Sequence, residues 1–178
     1  MAASNNLLHN IIKELLMKSR FSNRPRFLFL LALAVLLLDQ ASKHWLVGLM
    51  EARGRAPLPL CDYFSLVMAW NRGVSFSLLA GSTAWMPYVL VAVAVVISAL
   101  LARLALRSTH RMEQLGYALV VGGALGNALD RLRFGAVADF FYAHVGDLGW
   151  PAFNVADMAI CAGVGLLLLS VVKHPARP

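Results

Sequence analysis

The chain has 178 residues, of which 60% are hydrophobic and only 14% charged, and its mean hydropathy is +0.68. A water-soluble domain of this length needs more polar surface, which leaves a single bundle of membrane helices as the class. The net charge of +7 raises nucleic acid as a partner, yet no basic stripe with interleaved aromatics follows; the lysines and arginines read as markers of the cytoplasmic side, and no nucleic acid is expected.

Residues 1–26 read as a basic cytoplasmic leader. Leu7, Leu8, Ile11, Ile12, Leu15 and Leu16 recur at helical spacing opposite Lys13, the pattern of an amphipathic helix lying on a membrane surface. A loose terminal extension fits the same residues equally well. Residues 27–172 read as the membrane domain. Its first apolar stretch, 27–48, contains "FLFLLALAVLLL" with no small-x-small cleavage site after it, so it is expected to be an uncleaved helix rather than a signal peptide. Further stretches at 86–106, 114–131 and 153–172 each approach the ~20 residues that a spanning helix needs. The third is interrupted by Gly122, Gly123, Gly126 and Asn127; Gly122 and Gly126 form a small-xxx-small pair that admits a neighbouring helix.

Between the first two helices, the external segment 49–85 is rich in aromatic and β-branched residues and punctuated by Pro and Gly, which predicts two or three short strands. A shorter external segment, 132–152, joins the last two helices, and 173–178 form a cytoplasmic tail. The expected fold class is therefore an all-α integral membrane protein, four transmembrane helices with a small extracytoplasmic β-rich segment between helices 1 and 2. Orientation follows from charge. The leader, the loop 103–113 and the tail hold ten of the sixteen basic residues and a net +8, against −1 elsewhere. That asymmetry puts both termini inside and both long loops outside.

On this topology the polar groups gather at one depth. Asp39 and Lys43, four apart on one helix face, lie in the outer half of the first helix and can pair. Asn127, Asp130 and Arg131 lie at the outer end of the third, and since helical neighbours diverge, Asp130 and Arg131 each need a different partner. Asp157 falls about 9 Å below the outer end of the fourth, at 1.5 Å per residue. Asp139 stands just outside. The segment "GVSFS" is not GxSxG, His44 and His144 have no evident role, no HExxH occurs, and Cys61 and Cys161 make no CxxC, so neither metal nor cofactor is expected. Two carboxylates, Asp139 and Asp157, remain as the reactive candidates. A close pair cannot ionise twice cheaply and shares a proton, so one member can activate water while the other polarises a carbonyl.

The stretches "DQASK", "NRGVSFS", "GGALGNALDR", "VADFF" and "PAFNVAD", in this order and spacing over residues 27–172, resemble the lipoprotein signal peptidases, or signal peptidase II. The resemblance implies a bacterial inner-membrane aspartic endopeptidase, multi-pass, with its active site near the periplasmic face. Its substrates would be prolipoproteins, cut just before a cysteine carrying diacylglycerol. It further implies Asp139 and Asp157 as the catalytic pair. Asp39, Lys43, Asn71, Gly123, Asn127, Arg131, Asn154 and Ala156 match the family's supporting or substrate-contacting positions, and Ala138 stands where many members carry valine. The strands around Trp70, Asn71 and Phe76 would then cradle the scissile peptide.

Plainer readings compete for several of these residues. A buried Asp39–Lys43 pair is more often structural than catalytic. Asn127 and Asn154 can serve as helix-bridging amides, Gly123 and Gly126 as packing residues, and Trp45, Trp85 and Trp150 as an interfacial belt. The rival function is a proton-coupled membrane transporter, whose carboxylates tend toward the midplane and come with repeats or broken helices. A non-catalytic scaffold would leave the clustered carboxylates without a purpose. The expected partners are the prolipoprotein substrates and membrane lipid, with the chain itself a monomer.

Overall fold

Four helices and a small sheet make up the described residues, 24–73, 85–146 and 148–174, of this computed structural model. The amphipathic pattern at residues 7–16, and Phe76, lie outside them. Helix α1 spans Arg24–Ala52, with Pro25 in its first turn, where a missing N–H costs nothing. It starts inside the segment read as a leader. At 29 residues it is about 43 Å long, well beyond a hydrocarbon core of ~30 Å, so it crosses at a tilt or projects past one face. Helix α2 spans Met86–Arg107 with Pro87 near its start, and α3 spans Arg111–Phe134. Helix α4 spans Val155–Lys173.

Three of these helices, over Pro25–Ala52, Met86–Arg107 and Val155–Lys173, are long and apolar enough to cross a membrane. Many of their large side chains face outward with nothing over them, among them Phe29, Leu37, Val96, Leu168 and Val172, as lipid contact requires. Helix α3 does not reach that apolarity. It packs against all three others, so its polar residues and glycines meet protein instead of lipid. At Gly123 an added Cβ would come within 2.5 Å of the Ala156 carbonyl oxygen on α4, and at Gly126 within 2.6 Å of Asp39 Oδ2 on α1. The absence of side chains there lets three backbones converge on one level. Cys161 is exposed on α4.

The sheet is antiparallel in the order β1 (Leu58–Cys61), β2 (Phe64–Asn71), β3 (Val137–Val145), β4 (Leu148–Gly149). Strands were expected only between the first two helices, but half of the sheet comes from the segment 132–152. The signal was absent because Val137, Ala138, Asp139 and Phe140 are all buried, which erases the alternation that marks a half-exposed strand. Phe140 packs with Leu66 of β2 and with Leu46 and Met50 from the last turns of α1. That cluster fastens the sheet to one end of the bundle.

Candidate active site

Two chain reversals bring the carboxylates together. Helix α3 ends at Gly135, whose φ of 68° is the left-handed turn that glycine adopts freely, and the chain enters β3 two residues later. Asp139 is thus set on β3 opposite Ala69 of β2. The chain then returns along β3: Phe153 N donates to Phe141 O and Phe141 N to Phe153 O, both at 2.9 Å. This delivers Asn154 to the start of α4. Asn154 caps the helix, its Oδ1 accepting from Asp157 N at 2.9 Å while Asp157 Oδ2 accepts from Asn154 N at 3.2 Å. Such a reciprocal box fixes the side chain of Asp157 against its own backbone.

Two amides hold both carboxylates. Asn154 Nδ2 donates to Asp139 Oδ1 at 2.7 Å, and Asn127 Nδ2 donates to Asp157 Oδ1 at 2.8 Å. The amides also join each other, Asn154 Nδ2 to Asn127 Oδ1 at 3.2 Å. Asn71, at the end of β2, donates to Asp139 Oδ2 at 3.2 Å, and its Oδ1 accepts from Gly73 N. Asp139 is 3% exposed, whereas Asp157 is half-buried, so the site opens on the Asp157 side. Burial first, and then the charge of Asp157, push the Asp139 carboxyl up to about 7 despite the hydrogen bonds from Asn71 and Asn154. A group poised near neutrality is suited to giving and taking a proton.

Behind the pair lies a buried charge network. Lys43 Nζ sits 2.8 Å from Asp39 Oδ2, 2.9 Å from Asp130 Oδ2 and 3.0 Å from Asn127 Oδ1. Asp39 also accepts from the peptide N–H of Ala156, which is fully buried against it. Arg131 turns away from Asp130, as expected from sequence, and donates to Gly73 O at 2.9 Å and to Asn127 O at 3.4 Å. Asp39, Lys43, Asn71, Gly123, Asn127, Arg131, Asp139, Asn154, Ala156 and Asp157 are therefore brought into one assembly. Sequence reasoning left Asp130 without a role and missed Gln40, which donates to both Asp39 and Asp130. Ser65 and His144 also pair, at 3.0 Å across the sheet, but among the described residues no carboxylate accepts from the ring, so they do not make a nucleophile set.

The family model described as Signal peptidase (SPase) II matches residues 31–173. The chain belongs to the signal peptidase II family. It is 44% identical over 171 residues to the lipoprotein signal peptidase of Azoarcus sp. (strain BH72), an alignment covering 87% of this chain and 95% of that protein. It is 43% identical over 140 residues to the lipoprotein signal peptidase of Beijerinckia indica, covering 79% and 84%. Two solved structures of a bacterial membrane enzyme, determined by the in meso method, share its fold. Their TM-scores are 0.71 and 0.68 at 22% and 23% identity, covering 84% and 83% of this chain and 90% and 93% of theirs. This protein is accordingly a membrane peptidase that crosses the bilayer more than once.

Proposed function

We propose that this peptidase removes signal peptides from diacylglyceryl-modified prolipoproteins, cutting before the lipidated cysteine, with Asp139 and Asp157 sharing the catalytic proton. The observation that carries the reading is the Asn127–Asn154 clamp, which holds one oxygen of each carboxylate. The protonated member polarises the scissile carbonyl while the ionised one takes a proton from water, which attacks the carbonyl carbon. The tetrahedral intermediate collapses as the leaving amine receives a proton, and the pair again holds one. Asn71 and Arg131, which meet at Gly73, would contact the substrate backbone, and Asp39, Lys43, Gly123 and Ala156 would support the pair from behind. Neither metal nor cofactor enters the scheme.

The remaining parts of the reading concern placement. Helix α3 is the fourth span, its polar residues satisfied by its neighbours, and the charge asymmetry puts the termini in the cytoplasm. The site then opens near the periplasmic face of the bacterial inner membrane, where the exposed Met158, next to Asp157 in the chain, offers apolar surface suited to acyl chains. A monomer suffices, since one chain supplies the whole site.

The test is cleavage of a lipidated prolipoprotein by purified protein in detergent, with bound substrate measured in parallel. Asp139→Asn and Asp157→Asn should each abolish turnover and keep binding, and the double variant should be little worse than either, as residues acting as a unit are not additive. Substantial cleavage by either variant would remove the pair. Cleavage without any ion gradient excludes the transporter.

A further inference from the structure

Each of the paired aspartates follows an alanine whose peptide N–H reaches a carboxylate on another element. Ala138 N donates to Asp130 Oδ2 at 3.2 Å, and Ala156 N donates to Asp39 Oδ1 at 2.9 Å. The accepting carboxylates come from α3 and α1 and are 1% and 0% exposed. Two donors tie them together. One is the Lys43 ammonium, 2.8 Å from Asp39 and 2.9 Å from Asp130. The other is the Gln40 amide, whose Nε2 donates to Asp130 Oδ1 at 2.9 Å and to Asp39 Oδ2 at 3.1 Å, with Gly126 O at 3.3 Å as a third acceptor. From the outer side, Arg133 Nη1 donates to Gln40 Oε1 at 3.2 Å, holding the amide in this orientation.

The accounting of donors shows what Gln40 adds. Two buried carboxylates face one ammonium, and that ammonium also serves Asn127 Oδ1, so its three N–H groups are all used. Asp130 Oδ1 has Gln40 as its hydrogen-bond donor, and Asp39 Oδ2 has Gln40 besides Lys43. Without Gln40, an oxygen of Asp130 loses its partner and the two carboxylates repel with one cross-link fewer. They would move, and the peptides at 138 and 156 would move with them.

We infer that Gln40 and Asp130 are positioning residues of the reaction: with Asp39 and Lys43 they form a brace that grips the chain one residue before each catalytic aspartate and thereby sets the separation of Asp139 and Asp157. The inference rests on the proton-sharing reading of that pair. A brace of this kind acts on geometry, and misplacement by about 1 Å can cost on the order of a hundredfold in rate. The charged groups facing the pair, Asp39 and Lys43 from α1 and Asp130 and Arg131 from α3, either belong to the brace or adjoin it in the chain. A change in spacing therefore alters how the two carboxylates share their proton.

Gln40→Leu tests this, because the residue is uncharged and only half-buried, and leucine keeps the volume and the helix while removing the amide. Purified in detergent and assayed on a lipidated peptide substrate, it should lose roughly tenfold to a hundredfold in kcat per folded molecule with KM within about threefold of the parent. The two limbs of its kcat–pH profile should also move relative to each other. Asp130→Asn, which leaves either Gln40 or Ala138 N–H without an acceptor, should shift the same quantities; if it does not fold, Gln40→Leu decides alone. An unchanged kcat, a loss confined to thermal stability, or a lower kcat with both limbs in place would each overturn the brace. Asp139→Asn run alongside separates the two ideas. Activity in that variant removes the pair itself, whereas an inactive Asp139→Asn beside an unaffected Gln40→Leu removes only the brace.

Discussion

Replacing Asp139 by Asn should raise the stability of the folded protein at alkaline pH while it ends catalysis. Burial and the neighbouring Asp157 charge hold the folded-state carboxyl near 7, against an ordinary 3.8 in the unfolded chain. Between those values the folded protein keeps a proton that the unfolded chain has released. The stability contributed by this group is therefore full below about pH 4 and lost as pH rises through about 7. A gap of roughly three units corresponds to about 4 kcal/mol at its limit. Asparagine carries no charge at any pH, so it escapes that loss. It keeps an acceptor for Asn154 Nδ2 but turns its own amide toward Asn71 Nδ2, and turning Asn71 over would sacrifice the bond from Gly73 N. That mismatch costs about 1 kcal/mol. The variant should thus be slightly less stable than the parent near pH 4 and more stable by about 2–3 kcal/mol above pH 8. Thermal unfolding in detergent, followed by tryptophan fluorescence at steps across that range, measures the crossing. An offset in Tm that stays the same at every pH would refute the reasoning.

Three further outcomes follow from the same contacts. Lys43→Met leaves Asp39 and Asp130 buried without their cation, so it should cost about 3–5 kcal/mol, and a yield and Tm equal to the parent's would show that the ammonium is not the bridge. Gly126→Ala drives a Cβ to 2.6 Å from Asp39 Oδ2, while Gly48→Ala meets nothing within 4 Å. The first should lower stability by about 1–3 kcal/mol and the second should not, and equal Tm values for the two would count against the close approach. With Cys61 and Cys161 replaced, cysteine at Arg55 or Gly146 should react with an impermeant thiol reagent from outside the cell and cysteine at Thr109 should not. The reverse pattern would invert the orientation.

Much of this arrangement was legible in the chain because hydropathy and charge act over long windows. The apolar stretches of α1, α2 and α4 and the pairing of Asp39 with Lys43 follow from hydropathy and helical spacing, whereas Asp157, expected about 9 Å down its helix, lies in the first turn of α4. Strand β3 was hidden because burial on both faces removes alternation. Gln40 was hidden for another reason: its partner Asp130 is ninety residues away, and no local pattern marks a contact at that distance. The peptide N–H groups of Ala138 and Ala156 carry no side-chain signature at all, so the carboxylates that hold them read from sequence only as charges needing a partner.

The length of α1 bears on how the enzyme sits in its membrane. Leu46 and Met50, in its last turns, share one cluster with Leu66 and Phe140 of the sheet, so the sheet rides on a rod anchored in the bilayer. A thinner or thicker bilayer can then be met by tilting that rod, since its length is fixed by its hydrogen bonds. Tilt would swing Asp139 and Asp157 sideways and down together, keeping their mutual geometry while changing their height relative to the lipid headgroups.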